Sequence, residues 1–132
     1  MKQHPTLRIL LLIIIPIAFI IGLGIFSQQL LRRDSDTLNA NIDAAVKCTD
    51  TGNWSGVENN LNETAKTWMK VKGTWSALID HEEIDNIDVT LSQLQTLAKA
   101  KELPDTLSEA AALKTFIGHI PEKEKLRLEN LF

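Results

Sequence analysis

Ile9 to Phe26 is an uninterrupted run of 18 uncharged, mostly aliphatic residues, and it removes the start of the chain from any water-soluble fold. As a helix rising 1.5 Å per residue the run spans about 27 Å, close to a hydrocarbon core of about 30 Å. Leu7, Leu30 and Leu31 can extend it, so it reads as a membrane span over about residues 9–28. Pro16 lies inside the run and predicts a kink or one open backbone hydrogen bond, which membrane helices tolerate. A cleaved leader would have a shorter apolar core followed by small residues. Here Ser27-Gln28-Gln29-Leu30-Leu31-Arg32-Arg33 follows, so the segment is expected to remain as an anchor. The amino terminus, Lys2 and Arg8 face Arg32 and Arg33 across the span, a small excess of positive charge that favours a cytoplasmic N-terminus. Ala18 and Gly22 form a small-x-x-x-small pair that would support helix association, which leaves a homo-oligomer open.

What remains of the 132 residues is enough for one small domain, and multi-domain enzymes are excluded by length. All 17 acidic residues lie at or after Asp34, against ten basic ones, so residues 34–132 carry a net charge of −7. Such a domain is a poor ligand for nucleic acid or for anionic lipid headgroups, and no nucleic-acid partner is expected. The division is therefore an N-terminus and anchor at 1–33 and a helical domain at 34–132.

Hydrophobic spacing in the second part is helical throughout. Trp54, Leu61, Trp68 and Trp75 stand seven apart, with Val57, Val71 and Leu78 at companion positions, so one helix carries all three tryptophans on a stripe facing a core. Gly52-Asn53 breaks the chain before it, and Ser55-Gly56-Val57-Glu58 has the form of a capping box. Continuing the stripe would place Glu82 and Asp85 on an apolar seam, so the helix is expected to end near Ile79. A second helix follows from Ile84, Ile87, Leu91, Leu94 and Ala98, with Asp80 and Glu83 as its cap. Leu103-Pro104-Asp105 is expected to close it. A third carries Leu107, Ala110, Leu113, Ile117 and Ile120, and Ile120-Pro121 is expected to end it. Upstream, Leu38, Ile42, Ala45 and Val46 give a first helix over Asp34 to Thr49 that can run on from the span. No strand runs occur, so the expected fold is all-α: a transmembrane helix followed by a small antiparallel bundle of about four helices, in hairpins like those of helical repeats. The last eleven residues, charged and then apolar at Leu126, Leu128, Leu131 and Phe132, either dock back on the bundle or face a partner.

The feature with most chemical content is Asp80-His81-Glu82-Glu83-Ile84-Asp85 with Asp88, which places five carboxylates and an imidazole between Gly73 and Ala98 without one Lys or Arg. Two readings compete with that of an acidic helix N-terminus held by the macrodipole. In the first, Glu82, Glu83, Asp85 and Asp88 contact a basic partner. In the second, His81, Glu82 and Asp85 hold a divalent cation, since His81 and Asp85 are four apart and share a helix face. The zinc-protease pattern H-E-x-x-H fails because Asp85 stands at the second His position, and the E-x-x-H pairs of di-iron bundles are missing. No phosphate-binding loop, nucleophile elbow or C-x-x-C occurs; Cys48 is single and His119 reads as a helix C-terminal residue. The chain is expected not to be an enzyme and to carry no cofactor.

The Trp68 and Trp75 helix, Leu78-Ile79-Asp80-His81-Glu82-Glu83-Ile84-Asp85, Ile117-Gly118-His119-Ile120-Pro121-Glu122 and Glu129-Asn130-Leu131-Phe132 together resemble the bacterial family catalogued as domain of unknown function 4363, small single-pass proteins of spore-forming Firmicutes. The resemblance covers nearly the whole chain, and H-E-E-I-D and I-P-E are its most specific parts. It implies a Gram-positive membrane protein with an outward-facing helical domain, whose genes go with those of uncharacterised multi-spanning membrane proteins. It supplies no activity, and it suggests Trp68, Trp75, His81, Glu82, Asp85 and Asn130 as positions to test. The expectation is an extracytoplasmic adaptor or accessory subunit of another integral membrane protein, with a cation- or ligand-binding sensor at His81 to Asp85 as the alternative.

Overall fold

The computed structural model describes residues 5–131 as four helices: α1 (Pro5–Asp50), α2 (Trp54–Leu78), α3 (His81–Lys99) and α4 (Leu103–Leu131). Each helix packs against its neighbour in the chain, and α4 closes the ring against α1. Joints of two or three residues leave no freedom but to turn back, so the helices alternate in direction. The first expected helix is the second half of α1, fused to the apolar run without a break.

Helix α1 has two halves with different surroundings. An 18-residue window in its first half has a mean hydropathy of 3.1, contains no buried residue, and is long and apolar enough to cross a membrane. From Leu31 onward the burial pattern becomes that of a bundle helix, with Leu31, Asp34, Ser35, Leu38, Ile42, Ala45 and Thr49 turned inward at three- and four-residue spacing. They join one core with Val57, Leu61, Trp68 and Trp75 of α2, Ile84, Ile87, Leu91 and Leu94 of α3, and Ala110, Leu113, Ile117 and Ile120 of α4. Of the tryptophan stripe, Leu61, Trp68 and Trp75 are buried and Trp54, at the helix start, is half-buried.

The helix ends correct several sequence expectations. At the start of α2 the cap is Asn53, whose Oδ1 accepts the Gly56 amide at 3.0 Å, and not Ser55. Ser55 is already inside the first turn, because the helix begins one residue earlier at Trp54. Asp80 does occupy the N-cap of α3 but makes no side-chain cap bond; its carboxylate turns to Lys123 instead, at 3.5 Å. Leu103-Pro104-Asp105 does not close α3: it is the first turn of α4, where a proline's missing amide has no helical partner to lose. Helices α1 and α3 both end in the paired 6→1 and 5→2 bonds of a Schellman motif. Asn53 and Gly52 donate back to Cys48 and Thr49, and Glu102 and Lys101 to Leu97 and Ala98. The motif requires a left-handed residue, which is Gly52 (φ 68°) in one case and Lys101 (φ 57°) in the other.

The largest correction is at Pro121, which does not end α4. The helix runs through it to Leu131, and Pro121 is buried. A proline at 121 cannot donate to the carbonyl of Ile117, four residues back. That carbonyl is instead taken by the buried Ser35 hydroxyl of α1, which donates to it at 3.0 Å. The bond lost inside one helix is thus replaced from the next. Of the last eleven residues, Glu122 to Leu131 neither fold back separately nor hang free but prolong α4 along α1, and Phe132 lies outside the described residues.

Two outcomes are expected from urea unfolding of the full chain in mild detergent. Ser35→Ala leaves a buried carbonyl unpartnered and should destabilise by about 1–3 kcal/mol, but by much less in a Pro121→Ala background, where residue 121 regains its amide; equal effects in both backgrounds would refute the compensation. Lys101→Gly, which removes a side chain from a left-handed position, should stabilise by about 1 kcal/mol.

Candidate functional site

The acidic segment at the start of α3 divides by helix geometry into an inward and an outward set. Ile84 and Ile87 point into the core, so Glu83 and Asp88, beside them on the helix surface, are half-buried at the flanks, while His81, Glu82 and Asp85 are exposed. Each flank meets a lysine from a neighbouring helix. Lys123 of α4 donates to Glu83 Oε1 at 2.9 Å and lies 3.5 Å from Asp80, and Lys72 of α2 pairs with Asp88. Asp88 and Glu83 each have a lysine partner within the molecule, Asp80 shares Lys123 with Glu83, and Glu82 and Asp85 are the carboxylates of the segment presented to solvent without such a cation.

Asp88 also accepts the indole N–H of Trp68 at 2.7 Å. Burial pushes its carboxyl up, but the hydrogen bonds from Lys72 and Trp68 and the lysine's charge outweigh this and hold it below its ordinary value of 3.8. Lys123 is raised above 10.5 by its hydrogen bond to Glu83 and by that carboxylate's charge, with a smaller effect of Asp80. Seven residues along α2, Trp75 repeats the pattern toward the other side: its N–H donates to the buried Asp34 of α1 at 3.1 Å. Arg33 lies 3.7 Å from the other Asp34 oxygen. The two indoles meet edge to face, 5.5 Å between ring centroids at 89°, a geometry favoured by the ring quadrupoles. One helix therefore holds both neighbours through an apolar stripe whose polar tips are each satisfied by a carboxylate.

Sequence reasoning missed Asp34, Lys72 and Lys123. For Asp34 a signal existed: it falls between Leu31 and Leu38 at the spacing of the inward face, a carboxylate where an apolar residue is expected. For the lysines there was none, since Lys123 stands 40 positions from Glu83 and Lys72 16 positions from Asp88.

Beside Glu82 and Glu83 an open groove of about 530 Å³ runs between α3 and α4, with Asn86, Phe116, His119 and Lys123 on its walls. It brings one exposed imidazole and one exposed aromatic ring next to the acidic turn. Among the described residues no group of three or more His, Cys, Asp or Glu side chains is arranged to hold a metal ion, so His81, Glu82 and Asp85 are exposed on one turn without converging. Asn130 is exposed near the end of α4, and Cys48 is a half-buried free thiol beside Asn60. Glu82 and Asp85 are exposed beside this partly apolar groove.

The family described as Domain of unknown function (DUF4363) matches residues 25–131. The match takes in the whole bundle and begins at the end of the apolar run, and the chain belongs to this family. No curated protein and no solved structure matches the chain.

Because the Asp88 carboxyl is lowered on folding, the stability it contributes is present above about pH 3.8 and is lost as the pH falls through its folded value. Acid unfolding of the full chain in detergent, followed by tryptophan fluorescence, should show this component, and Asp88→Asn should lack it. Above pH 3.8 the same substitution should lower stability by about 1 kcal/mol, a modest effect because the pair is part-exposed.

Proposed function

We propose that this member of the DUF4363 family is a membrane-anchored, non-enzymatic accessory subunit whose bundle stands outside the cytoplasmic membrane and contacts a basic surface of another integral membrane protein. The observation that carries the reading is the form of α1: an apolar half with no buried residue continues without a joint into the bundle core. Such a helix fixes the height and the facing of the bundle relative to the membrane, which a partner in the same membrane can exploit without a large interface. The contact face is the exposed pair Glu82 and Asp85 at the first turns of α3, with the α3–α4 groove beside them. Glu83 and Asp88 contribute indirectly, since their charges are spent on Lys123 and Lys72. The orientation follows the excess of positive charge before the apolar run.

Tagged full-length protein extracted in gentle detergent should bring down a membrane protein, and Glu82→Lys/Asp85→Lys should lose it while keeping the same helical circular dichroism. Recovery of the same partner by both forms would remove the acidic turn from the contact. A cysteine at the exposed Thr51, in a Cys48→Ala background, should react with a membrane-impermeant maleimide on intact cells; protection until lysis would reverse the orientation.

A further inference from the structure

Beyond Lys123, which reaches the first turn of α3, helix α4 continues to Leu131 with α1 beside it. The two helices are antiparallel: Asn39 lies against Lys114, Ser35 against Ile117 and Gly24 against Leu128, so position numbers fall along one as they rise along the other. At the last of these contacts a Cβ added to Gly24 would stand 2.6 Å from Leu128 Cδ2, so Gly24 is where the leucine gains its close approach. Gly24 lies inside the apolar run, two residues before its end at Phe26. The end of α4 therefore stands at the height of the run, and Leu131 extends about 4.5 Å deeper than Leu128 along the same direction.

The side chains at this height are what a lipid surface selects. Leu126 and Leu131 are 59% and 74% exposed, and Leu23, Ile25 and Phe26 of α1, at about the same height, are exposed as well. The charges on the same stretch pair within the helix, Arg127 with Glu124 at 3.2 Å and Lys125 with Glu129 at 4.0 Å, so the stretch brings no net charge to the interface. Long side chains such as Lys125 and Arg127 can lie along apolar surface with their heads in water.

We propose that the end of α4, from Leu126 to Leu131, enters the interfacial layer of the bilayer on the bundle's side and places Leu126 and Leu131 against acyl chains. The protein then meets lipid through two helices. Lipid is the occupant because the exposed leucines stand at the height of the exposed apolar run of α1. The proposal rests on α1 crossing the membrane.

The test uses full-length protein with Cys48→Ala and a single cysteine at Leu131→Cys, at Leu126→Cys, or at Leu107→Cys as a comparison site. Leu107 is also exposed on α4 but stands about 36 Å from Leu131 along the helix. Each is labelled with an environment-sensitive fluorophore and reconstituted into phosphatidylcholine vesicles with ordinary or brominated acyl chains. Probes at 131 and 126 should emit to the blue of the probe at 107 and lose intensity with brominated chains, while the probe at 107 is unchanged. Protein that floats with the vesicles but shows a water-like, unquenched probe at both 131 and 126 overturns the proposal and leaves the span intact. Equal quenching at 107 also overturns it, because lipid contact would then follow the whole of α4. Protein that fails to float overturns the span and the proposal together.

Discussion

The helix from Pro5 to Asp50 is the constraint on which the other three depend, because it carries the apolar run and one full side of the bundle without interruption. A helix has no soft joint unless a residue supplies one, and Pro16, the proline within it, lies in the apolar half, far from where the bundle begins. Both helices that touch α1 must therefore take their positions from a rod whose direction is already fixed. Helix α3 packs against α2 and α4 and takes its position through them.

An apolar seam alone would hold these helices together but not in register, since leucines packed on leucines tolerate sliding. Register comes from the few polar groups inside the seam. Asp34 accepts from Trp75 on one side of α1, and Ser35, the next residue, donates to Ile117 on the other. A shift of α2 or α4 by one turn would leave a carboxylate or a carbonyl buried without a partner, which costs more than the packing it would exchange. Trp68 and Asp88 do for the α2–α3 contact what Trp75 and Asp34 do for α1–α2, and the two indoles touching edge to face link both contacts.

Most of this was legible in the sequence where the signal is periodic. The tryptophan stripe, the break at Ile79 and most of the inward face of each helix follow from spacing, because burial of one face is what spacing records. Leu107, which spacing puts on the inward stripe of α4, is exposed, since it lies in the first turns of that helix. The misreadings came where a local rule met a distant atom. Pro121 ends helices in general because it strands a carbonyl, and here Ser35, far off in the chain, takes that carbonyl up. The acidic turn looked like one surface of five charges, yet three of them face lysines that a linear reading has no means to place. Glu82 and Asp85, the two that remain outward, are the part of the candidate site that charge counting located correctly as exposed.

The unbroken passage from apolar run to bundle also makes the molecule a lever with no slack. Each residue of an α-helix turns the next by about 100°, so the face that α1 shows to neighbours at Ile14 fixes, residue by residue, the compass direction in which Glu82 and the α3–α4 groove look out. Adding or deleting a single residue near Ala18, before α1 meets the end of α4 at Gly24, would swing the bundle by more than a quarter turn around its own stalk while leaving the contacts between the helices untouched. The interior of this protein would not register the change; only whatever stands beside it would.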